Sequence, residues 1–517
     1  MLGDILTAKG LVSRADVERA FERQKQAGGR LGDNLVALGL VTKAQIDSVL
    51  NEAPPSPRSL ADTGISAADL FRLMIKTIYA ENHESPSTVS ESLKLPYPVI
   101  SQLLKEAAAR KLVEPLSSAG GNGGAATEIR FALTGAGRSF AIDALEQSQY
   151  TGTAPVSLAA FAERVQLQKV TNERIDRDTI EDHFADLVVE QEFIRQIGPA
   201  INSGRTVLLY GPPGNGKTSV AERVAKMFSD VIYIPYAVEI EGQIMKVFDG
   251  SVHHPVERET NGQGPTLRRE PIDRRWVPCE RPIVVTGGEL TLDMLDLQYN
   301  QSARFYEAPM HVKALNGTFI IDDFGRQLVA PEDLLNRWIV PLESRVDYLK
   351  LHTGKSFQFP FDELVIFSTN LSPADLMDAA FLRRIPYKLS TVAPDRDQFA
   401  KIFRAVAGAR KLEVTEEEVD VVIDFLREQN DFPLACYQPK FIVEQVTDAC
   451  KYEGVAPGLT PELVAQALSN LYTTDSPGFG ITRAMRDAGH AGAGDAYTKT
   501  AAKGGGAAEK VKAAALT

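Results

Sequence analysis

The sequence predicts a multidomain protein with a small α-helical N-domain, an α+β domain, and an α/β core that is followed by an all-α region. Three observations lead to this fold class. The first 53 residues contain an internal repeat, apolar strands alternate with amphipathic helices from about residue 184 to 390, and residues 396–474 are helical in pattern. A chain of 517 residues is also too long for one hydrophobic core.

Composition narrows the classes of function. The chain is 44% hydrophobic and 24% charged, and its net charge of −12 argues against a broad nucleic-acid surface. Its three cysteines, Cys279, Cys436 and Cys450, form no CxxC pair, which argues against a disulfide scaffold or a zinc site and fits a reducing compartment. No apolar run approaches a membrane span, and the first residues lack the apolar core of a signal peptide. We therefore expect a cytoplasmic protein without membrane insertion.

Residues 1–53 form the predicted N-domain because residues 1–24 are echoed by residues 30–53. In each copy a short helix ends at a glycine, and a second helix begins at an N-cap, Ser13 or Thr42. The aligned positions are Leu2, Gly3, Leu6, Gly10, Val17 and Phe21 in the first copy and Leu31, Gly32, Leu35, Gly39, Ile46 and Leu50 in the second. Residues 54–64 are rich in proline and serine and are predicted to be a linker.

Residues 65–150 form the predicted α+β domain. A helix over 67–80 is followed by a helix-turn-helix pattern, a glycine-rich loop, a strand over 129–133 and a further helix. This order resembles a winged-helix domain, and "LTGAGR" at 133–138 matches the end of the wing in many of them. Eight Lys and Arg stand against nine Asp and Glu over this range, and only Ser101, Gln102 and Lys105 of the second helix could contact DNA. A winged helix used for packing or partner contacts is therefore favoured over a DNA-binding one.

The remaining chain is predicted as a linker with a helix leading into the core (151–180), the α/β core (181–392), a helical region (393–475) and a disordered tail (476–517). Core strands are predicted at 206–210, 231–235, 283–286, 318–322 and 364–368. The long segment 248–317 includes a predicted hairpin that turns at Gly287–Gly288. Within it, His253 and His254 are assigned to an exposed polar loop rather than to a metal site, because no further ligand lies nearby in the sequence.

The stretch 206–228 combines a strand, a glycine-rich loop and an amphipathic helix, and its loop fits GxxxxGK[ST]. Glycines let consecutive backbone N–H groups turn toward one phosphate, and a helix N-terminus adds positive potential. Lys217 would reach the β- and γ-phosphates, and the hydroxyl of Thr218 would bind Mg²⁺. The predicted nucleotide-binding residues are Gly211, Pro212, Pro213, Gly214, Asn215, Gly216, Lys217, Thr218 and Ser219.

Two adjacent carboxylates, Asp322 and Asp323, follow a predicted buried strand. Unpaired buried charge is costly, so both need a polar or cationic partner. Successive side chains of a strand point to opposite sides, and ligands of parallel α/β sheets bind at the carboxyl ends of the strands. We therefore expect Asp322 to face the Mg²⁺ shell beside Thr218, and Asp323 to face a water aligned on the γ-phosphate.

These motifs, in this order, resemble those of AAA+ ATPases over about residues 180–475. The loop is similar to Walker A, and "FIIDDF" (319–324) is similar to Walker B, with Asp323 where the family usually has the glutamate that polarises the attacking water. "LVIFSTNL" (364–371) resembles the sensor 1 strand, which implies that Asn370 contacts the water or the γ-phosphate. The resemblance implies ATP and Mg²⁺ as cofactors, ATP hydrolysis, and a homo-oligomeric ring, most often a hexamer.

Two further positions rest on the same resemblance. "AAFLRRIPYKL" (379–389) matches the arginine-finger position, which implies that Arg384, or alternatively Arg383, enters the site of a neighbouring subunit. The helical region resembles the AAA+ lid, and Lys440 stands where sensor 2 usually has an arginine. The segment 248–317 resembles insertions of MoxR-like and σ54-activator-like (helix-2-insert) members, and such an element would face a substrate or partner.

The N-terminal repeat resembles the MshEN-type N-domain of type II secretion and type IV pilus extension ATPases, many of which bind cyclic di-GMP. The matching residues that would contact the dinucleotide are Leu2, Gly3, Arg30, Leu31 and Gly32, while Met1 replaces the first arginine and Ala53 the second glutamine. The alternative is a docking domain in which these leucines and glycines only pack.

Three functions remain open from the sequence. The first is an AAA+ ATPase that remodels or assembles a protein partner as a chaperone would, with a secretion or pilus component as one candidate. The second is a regulator that binds DNA through the winged helix. The third is an adaptor that holds ATP without hydrolysing it, which the aspartate at position 323 keeps open.

Overall fold

The fold is taken from a computed structural model of the chain. It describes residues 2–116, 130–257, 272–376, 379–429 and 433–471, so the predicted tail (476–517) and most of the predicted glycine-rich loop lie outside the described residues. The chain divides into two compact units. The first comprises residues 1–183, 191–210 and 218–389, and the second comprises residues 184–190, 211–217 and 390–517.

The described residues form α-helices and short β-strands. The helices are α1 (Leu2–Ala8), α2 (Arg14–Ala27), α3 (Leu31–Ala37), α4 (Lys43–Leu50), α5 (Ala67–Glu81), α6 (Pro86–Leu93), α7 (Tyr97–Ala109), α8 (Gly135–Gln147), α9 (Leu158–Leu167), α10 (Arg177–His183), α11 (Gln191–Ser203), α12 (Lys217–Ala225), α13 (Met310–Lys313), α14 (Pro331–Ser344), α15 (Pro373–Leu376), α16 (Ala379–Leu382), α17 (Arg396–Ala409), α18 (Glu416–Asp424), α19 (Tyr437–Glu453) and α20 (Pro461–Leu471). The strands are β1 (Val113–Pro115), β2 (Phe131–Leu133), β3 (Val156–Ser157), β4 (Val207–Tyr210), β5 (Ile232–Pro235), β6 (Ala237–Ile240), β7 (Gln243–Lys246), β8 (Trp276–Cys279), β9 (Ile283–Thr286), β10 (Gln298–Asn300), β11 (Phe305–Glu307), β12 (Thr318–Ile321), β13 (Val346–Lys350), β14 (Ser356–Pro360), β15 (Leu364–Thr369) and β16 (Tyr387–Ser390). None of the helices described here has the length and apolar character needed to cross a bilayer.

Four short helices, α1 to α4, form the N-terminal part of the first unit. The second helix of each repeat begins with a capping box, Ser13 with Asp16 and Thr42 with Gln45. Apolar side chains from both copies share one core. A Cβ on Gly3 would lie 2.7 Å from a methyl of Val17, so this glycine is required for the close approach of α1 and α2.

The next part of the first unit contains α5 to α8 with a two-stranded antiparallel ribbon. Strand β1 pairs with β2, with Val113 opposite Leu133. The helix predicted over 67–80 and the strand predicted over 129–133 correspond to α5 and β2. Helix α5 is buried along most of its length because α6, α7 and α8 pack around it.

Two buried arginines hold the segments that flank the α5–α8 part through hydrogen bonds to backbone carbonyls. Arg164 of α9 donates to the carbonyl of Glu52 at 2.8 Å. Arg275 donates to the carbonyls of Thr63 and Pro155 at 3.0 and 2.9 Å. The proline-rich stretch predicted as a linker is therefore attached to the core segment, because Arg275 donates to its Thr63 carbonyl. Such contacts explain why this stretch has a defined structure although its sequence shows no hydrophobic periodicity.

A five-stranded sheet forms the centre of the first unit, in the order β16–β4–β15–β12–β9. Strands β4, β15, β12 and β9 run parallel to their neighbours. Every residue of β12 and β15 is buried, as expected for central strands that are covered on both faces. Because the strands are parallel, the residues that follow β12 and β15 lie at the same edge of the sheet.

Two expectations about the sheet are wrong. The strand predicted at 231–235 is formed as β5, but it pairs antiparallel with β8 in a separate ribbon. No hairpin turns at Gly287–Gly288, because β9 occupies the edge of the core sheet and a short 3₁₀ helix, Leu292–Leu295, follows it. Periodicity identified both strands but carried no information about their partners.

The segment 248–317 contributes to a second five-stranded sheet, in the order β10–β11–β7–β6–β3. Strands β6 and β7 form a hairpin, and β11 runs parallel to β7. The predicted exposure of His253 is also wrong. Its ring is buried, accepts from the N–H of Asp249 at 2.9 Å and lies 2.8 Å from the carbonyl of Lys313, and this burial lowers the pKa of His253.

The second unit is helical over its described residues beyond position 395. Helices α17 to α20 share one apolar core. The helices predicted over 415–429, 439–454 and 460–472 correspond to α18 with the turn after it, α19 and α20. Capping boxes start α17 at Asp395 and α18 at Thr415.

Candidate functional site

The glycine loop, residues 211–217, has the backbone that phosphate loops need. Gly211, Gly214 and Gly216 have φ angles of 144°, 77° and 76°, which residues with a Cβ rarely adopt. Lys217 is buried, and its Nζ donates to the carbonyls of Gly211 and Pro212 at 3.0 and 2.9 Å. The loop therefore curls around the ammonium group of its own lysine.

The same unit packs the start of α19 against this loop. The N–H of Tyr437 donates to the carbonyl of Gly214 at 3.0 Å, and the N–H of Cys436 donates to Oδ1 of Asn215 at 3.3 Å. A Cβ on Gly214 would lie 2.2 Å from the Tyr437 ring. Gly214 is thus required for two reasons, its φ angle and its contact with the Tyr437 ring. The sequence did not predict this contact, because Tyr437 is more than 200 residues away.

One donor in the loop is left without a partner. Nδ2 of Asn215 is buried and has no hydrogen-bond partner among the described residues. An unsatisfied buried donor costs about 1–3 kcal/mol, so this amide suits an acceptor that the chain does not supply. Together with the curled backbone N–H groups, it makes the loop fit a polyphosphate.

In the first unit, Thr218 and Asp322 meet at the carboxyl end of β12. The Thr218 hydroxyl donates to Oδ2 of Asp322 at 2.7 Å. The N–H of Asp322 donates to the carbonyl of Thr286, so the ladder between β12 and β9 continues into the acidic residue. A hydroxyl and a carboxylate held this close are hard oxygen ligands of the type that Mg²⁺ prefers. The two residues predicted to bind metal are therefore brought together.

Asp323 and Asn370 form a second pair at the same edge. Nδ2 of Asn370 donates to Oδ1 of Asp323 at 3.2 Å. Asp323 has a φ of 47°, a left-handed conformation that is uncommon outside glycine, and its side chain is exposed. Strand β12 ends at Ile321, so a turn at Asp323, and not the alternation of the strand, gives the two carboxylates their different partners.

Neighbouring residues hold this turn in place. The N–H of Phe324 donates to the carbonyl of Ser368, and the Thr369 hydroxyl donates to the carbonyl of Phe324, both at 2.7 Å. Gln327 donates to the carbonyls of Asp322 and Gly287 at 3.2 and 3.3 Å and accepts from Gly325. Gln327 was not predicted, because nothing in the neighbouring sequence distinguishes it from other loop glutamines.

Arg383 and Arg384 lie elsewhere in the first unit. They line a cavity of about 780 Å³ beside Thr206 and Asp362, which precede β4 and β15. These are the amino ends of the strands, whereas Asp322 and Asn370 follow carboxyl ends. Arg384 forms a 2.6 Å ion pair with Glu343. The basic residues of this cavity are Lys169, Arg205, Arg345, Arg383 and Arg384.

The other nucleotide-site residues are exposed. Ser219 follows Thr218 in α12 and points to solvent, as do Pro212 and Pro213 of the loop. Lys440 is exposed in the first turns of α19. The helix N-terminus there carries positive potential, to which the lysine adds a point charge.

The N-domain residues predicted to bind a dinucleotide have mainly packing roles. Gly32 faces Ile46 and Leu2, with a Cβ 3.4 Å from the nearest methyl. Leu2, Arg30 and Gly32 line a cavity of about 300 Å³, while Gly3 is buried and Leu31 packs against the helical core. Nη1 of Arg30 donates to the carbonyl of Asn172 at 2.9 Å, and burial lowers the pKa of Arg30.

The lining of that cavity is electrically balanced. Four basic residues stand against four acidic ones: Arg30, Lys43, Arg174 and Arg281, and Asp33, Asp47, Glu173 and Asp230. Arg281 is already paired with Glu173 at 3.1 Å. Outside these regions, no group of three or more metal-ligating side chains occurs in the described part of the chain.

Comparison with known families identifies two segments. Residues 207–260 match the family described as "ATPase family associated with various cellular activities (AAA)". Residues 395–470 match a family described as "Domain of unknown function (DUF8689)". No curated protein matches the sequence. Residues 207–260, which include the glycine loop and Thr218, are therefore similar to AAA-family ATPases.

Solved structures align with larger parts of the chain at low identity. RuvB from Thermotoga maritima, a Holliday junction branch migration motor, is 16% identical and aligns over 57% of this chain and 73% of its own, with a TM-score of 0.32. NtrX from Brucella abortus in complex with ADP is 13% identical over 63% of this chain and 64% of its own, with a TM-score of 0.34. The FIGL-1 AAA domain in complex with ADP is 14% identical over 59% of this chain and 80% of its own, with a TM-score of 0.29. At TM-scores below 0.5, these similarities establish neither fold nor function.

Proposed function

We propose that this chain is an AAA+ ATPase that binds Mg-ATP at the glycine loop and hydrolyses its terminal phosphoric anhydride bond. The observation that carries the proposal is the pairing of Thr218 with Asp322 at 2.7 Å beside the pairing of Asp323 with Asn370 at 3.2 Å. The first pair offers ligands for a metal, and the second offers a base with an amide that orients it. Thr218 directly follows Lys217, so the loop and the pair belong to one motif.

Each residue has a separate task in this proposal. Lys217 and the loop N–H groups would bind the phosphates, and Thr218 with Asp322 would hold Mg²⁺, whose positive charge would offset the negative charge of the phosphate oxygens. Asp323 orients a water and accepts its proton, while Asn370 fixes the carboxylate. Because aspartate is one methylene shorter than glutamate, we expect slow turnover rather than loss of nucleotide binding.

Phosphate release from ATP by the purified chain tests the proposal. We expect Mg²⁺-dependent release that falls on the order of 100-fold or more in Lys217→Ala and in Asp323→Asn, because each removes a group that acts on the transferred phosphoryl group or the water. Lys226→Ala and Asp333→Asn are matched controls on exposed sites and should retain the rate. Release that is equal in all five proteins would reject the proposal.

A chain that binds ATP but never hydrolyses it is the second candidate. The exposed, left-handed Asp323 favours it, since the shorter side chain has to reach the water from a strained backbone position. Stoichiometric ATP binding with no phosphate release, unchanged in Asp323→Asn but lost in Lys217→Ala, would support this adaptor.

We propose further that Arg384 acts on the site of another copy in a homo-oligomeric ring. Strand β15 has six residues, and at about 3.3 Å per residue it separates the cavity of Arg384 from Asn370 by about 20 Å. An arginine side chain cannot span that distance, so within one chain this residue cannot reach the carboxylates.

We propose that hydrolysis drives remodelling or assembly of a protein partner in the cytoplasm, through the second sheet and the N-domain. A secretion or pilus component is the candidate that the N-terminal repeat favours. A response to cyclic di-GMP would require Arg30 to exchange the Asn172 carbonyl for a phosphate. Titration with cyclic di-GMP tests this: Arg30→Ala should abolish binding and Arg19→Ala should not, whereas no binding to the unmodified chain leaves the repeat as a docking domain.

A further inference from the structure

A cavity of about 360 Å³ lies in the first unit, far in sequence from the glycine loop. Its walls come from α5 and α8 on one side, and from the hairpin of β6 and β7 with the turn before β11 on the other. Cavities of about 300–1,000 Å³ are the usual size for small ligands. The N–H of Gln149 donates to the carbonyl of Ala303 at 2.8 Å, and these residues are the sequence neighbours of Ser148 and Arg304, which line the two sides.

A buried lysine points to the chemistry of this cavity. Lys76 is only 4% exposed, and its Nζ donates to the carbonyl of Ser148 at 2.8 Å. Among the described residues it has no carboxylate within ion-pair distance. Burial, together with the nearby charge of Arg72, lowers the pKa of Lys76 to about 8. A buried ammonium with one neutral partner is costly, and a lysine has three donors to satisfy.

The other charges of the cavity do not compensate Lys76. Arg72 is paired with Asp69 and donates to Gln147 at 3.2 Å. The carboxylate of Glu239 accepts from the N–H of Gly242 in its own hairpin. Arg304 lines the cavity from the opposite side and makes no ion pair in the described part of the chain. The lining therefore carries three cations and two carboxylates, in a protein whose net charge is −12.

The backbone of Arg304, which is an exposed residue, is held by its turn. Its φ is 55°, and its N–H donates to the carbonyl of Asn300 at 2.6 Å. Oδ1 of Asn300 accepts from the N–H groups of Ser302 and Ala303 at 3.1 and 2.8 Å. A non-glycine residue held in the left-handed region costs about 1–3 kcal/mol, so the turn presents this arginine from a defined backbone.

We propose that this cavity is a second ligand site that binds a small phosphate-bearing anion between Lys76 and Arg304. A doubly charged phosphate would supply the counter-charge that Lys76 lacks, and the guanidinium fork matches phosphate oxygens. The site is independent of ATP hydrolysis at the glycine loop. Because Lys76 belongs to α5 and Arg304 to the turn before β11, the bound anion would cross-link these two parts of the first unit.

Calorimetric titration with inorganic pyrophosphate in the absence of Mg²⁺ tests this site. All proteins carry Lys217→Ala, so that binding at the glycine loop does not contribute. We expect binding that is at least about tenfold weaker in Lys76→Met and in Arg304→Gln, since each removes one charge-assisted contact, and unchanged in Lys105→Met, which alters an exposed lysine of α7. Absence of binding, or equal binding in all four proteins, would overturn the proposal.

A labelling experiment gives an independent readout if Lys76→Met fails to fold. Pyridoxal 5′-phosphate carries both a phosphate and an aldehyde. The neutral amine of Lys76 would condense with the aldehyde and release water, and borohydride would then reduce the imine to a stable amine. At pH 8 we expect peptide mapping to find Lys76 labelled faster than Lys105, with protection by pyrophosphate and slower labelling in Arg304→Gln. Labelling confined to exposed lysines, or unaffected by pyrophosphate, would refute the site.

Discussion

At the scale of single residues, Asp347 shows how a buried charge is stabilised in this protein. It is 2% exposed and accepts from Arg337 at 2.7 and 2.9 Å, and His311 lies 2.9 Å from it. Burial alone would raise the pKa of Asp347, but the adjacent His311 and the hydrogen bonds from Arg337 outweigh burial and hold that pKa well below its usual value. The carboxylate therefore ties α13, α14 and β13 together.

Asp347→Asn should destabilise this region by about 3 kcal/mol, because the largely buried guanidinium of Arg337 loses the carboxylate that it contacts through two hydrogen bonds. Asp296→Asn is the matched control, since Asp296 is 61% exposed and pairs with the same Arg337, and it should cost less than about 1 kcal/mol. Hydrogen exchange of the β13 amides measures both. Because the folded-state pKa of Asp347 lies below its unfolded value, the ionised carboxylate stabilises the fold above the unfolded pKa and loses this contribution as the pH falls. The difference in stability between the unmodified chain and Asp347→Asn should therefore shrink below about pH 4.

Residues that lie together at the site were predicted where a sequence motif contains them, and were missed where only tertiary contacts bring them there. Lys217, Thr218 and Asp322 stand in patterns whose spacing follows from strand, loop and helix geometry. Gln327 and Lys76 have no such pattern. Their importance comes from partners that lie far away in the sequence or at a distant turn, such as Gly287 and Ser148.

At the scale of elements, the contact between the glycine loop and α19 makes a specific prediction. Gly214→Ala places a methyl at a φ of 77° and within 2.2 Å of the Tyr437 ring, so the loop or α19 has to move. We expect ATP binding to weaken by at least about tenfold, since strain of about 1–3 kcal/mol would be added to the binding-competent loop. Fluorescent-nucleotide titration measures the change.

Gly408→Ala is the control for that variant. Gly408 lies in α17 without a positive φ, and a Cβ there meets nothing within 4 Å. The substitution should stabilise the helix by about 0.5–1 kcal/mol and leave ATP binding intact. Equal affinities of the unmodified chain and Gly214→Ala would mean that the contact between the loop and α19 is irrelevant to the nucleotide.

Periodicity predicted where the core strands lie in the sequence, but it did not predict which strands pair with each other. Each of the five predicted core strands exists, yet β5 pairs with β8 outside the core sheet. Both strands are short and apolar, so a local pattern cannot distinguish a central parallel strand from one half of a ribbon. Which strands pair depends on segments that lie far apart in the sequence.

At the scale of the whole molecule, the proposal requires more than one copy for full activity. Arg384 lies at the amino ends of the strands, away from the carboxylates of its own chain. Mixing Arg384→Ala chains with Lys217→Ala chains should restore part of the ATPase rate that each lacks alone, because mixed rings contain an intact loop beside an intact arginine.

Glu343→Gln is the control in the mixing experiment, since it removes the ion pair of Arg384 and keeps the arginine. It should hydrolyse ATP on its own. If the mixture is no more active than the sum of the two inactive variants, or if sedimentation with ATP finds only monomers, Arg384 does not act on a neighbouring copy.

If the two carboxylates after β12 have different tasks, Asp322 toward metal and Asp323 toward water, their asparagine variants should fail in different ways. The most direct measurement follows bound radiolabelled ATP in Asp322→Asn and in Asp323→Asn and determines how much is retained and how much becomes ADP. We expect Asp323→Asn to retain unhydrolysed ATP in a Mg²⁺-dependent manner, and Asp322→Asn to lose the dependence on Mg²⁺. Identical behaviour of the two variants, or conversion to ADP at the unmodified rate in both, would contradict this expectation.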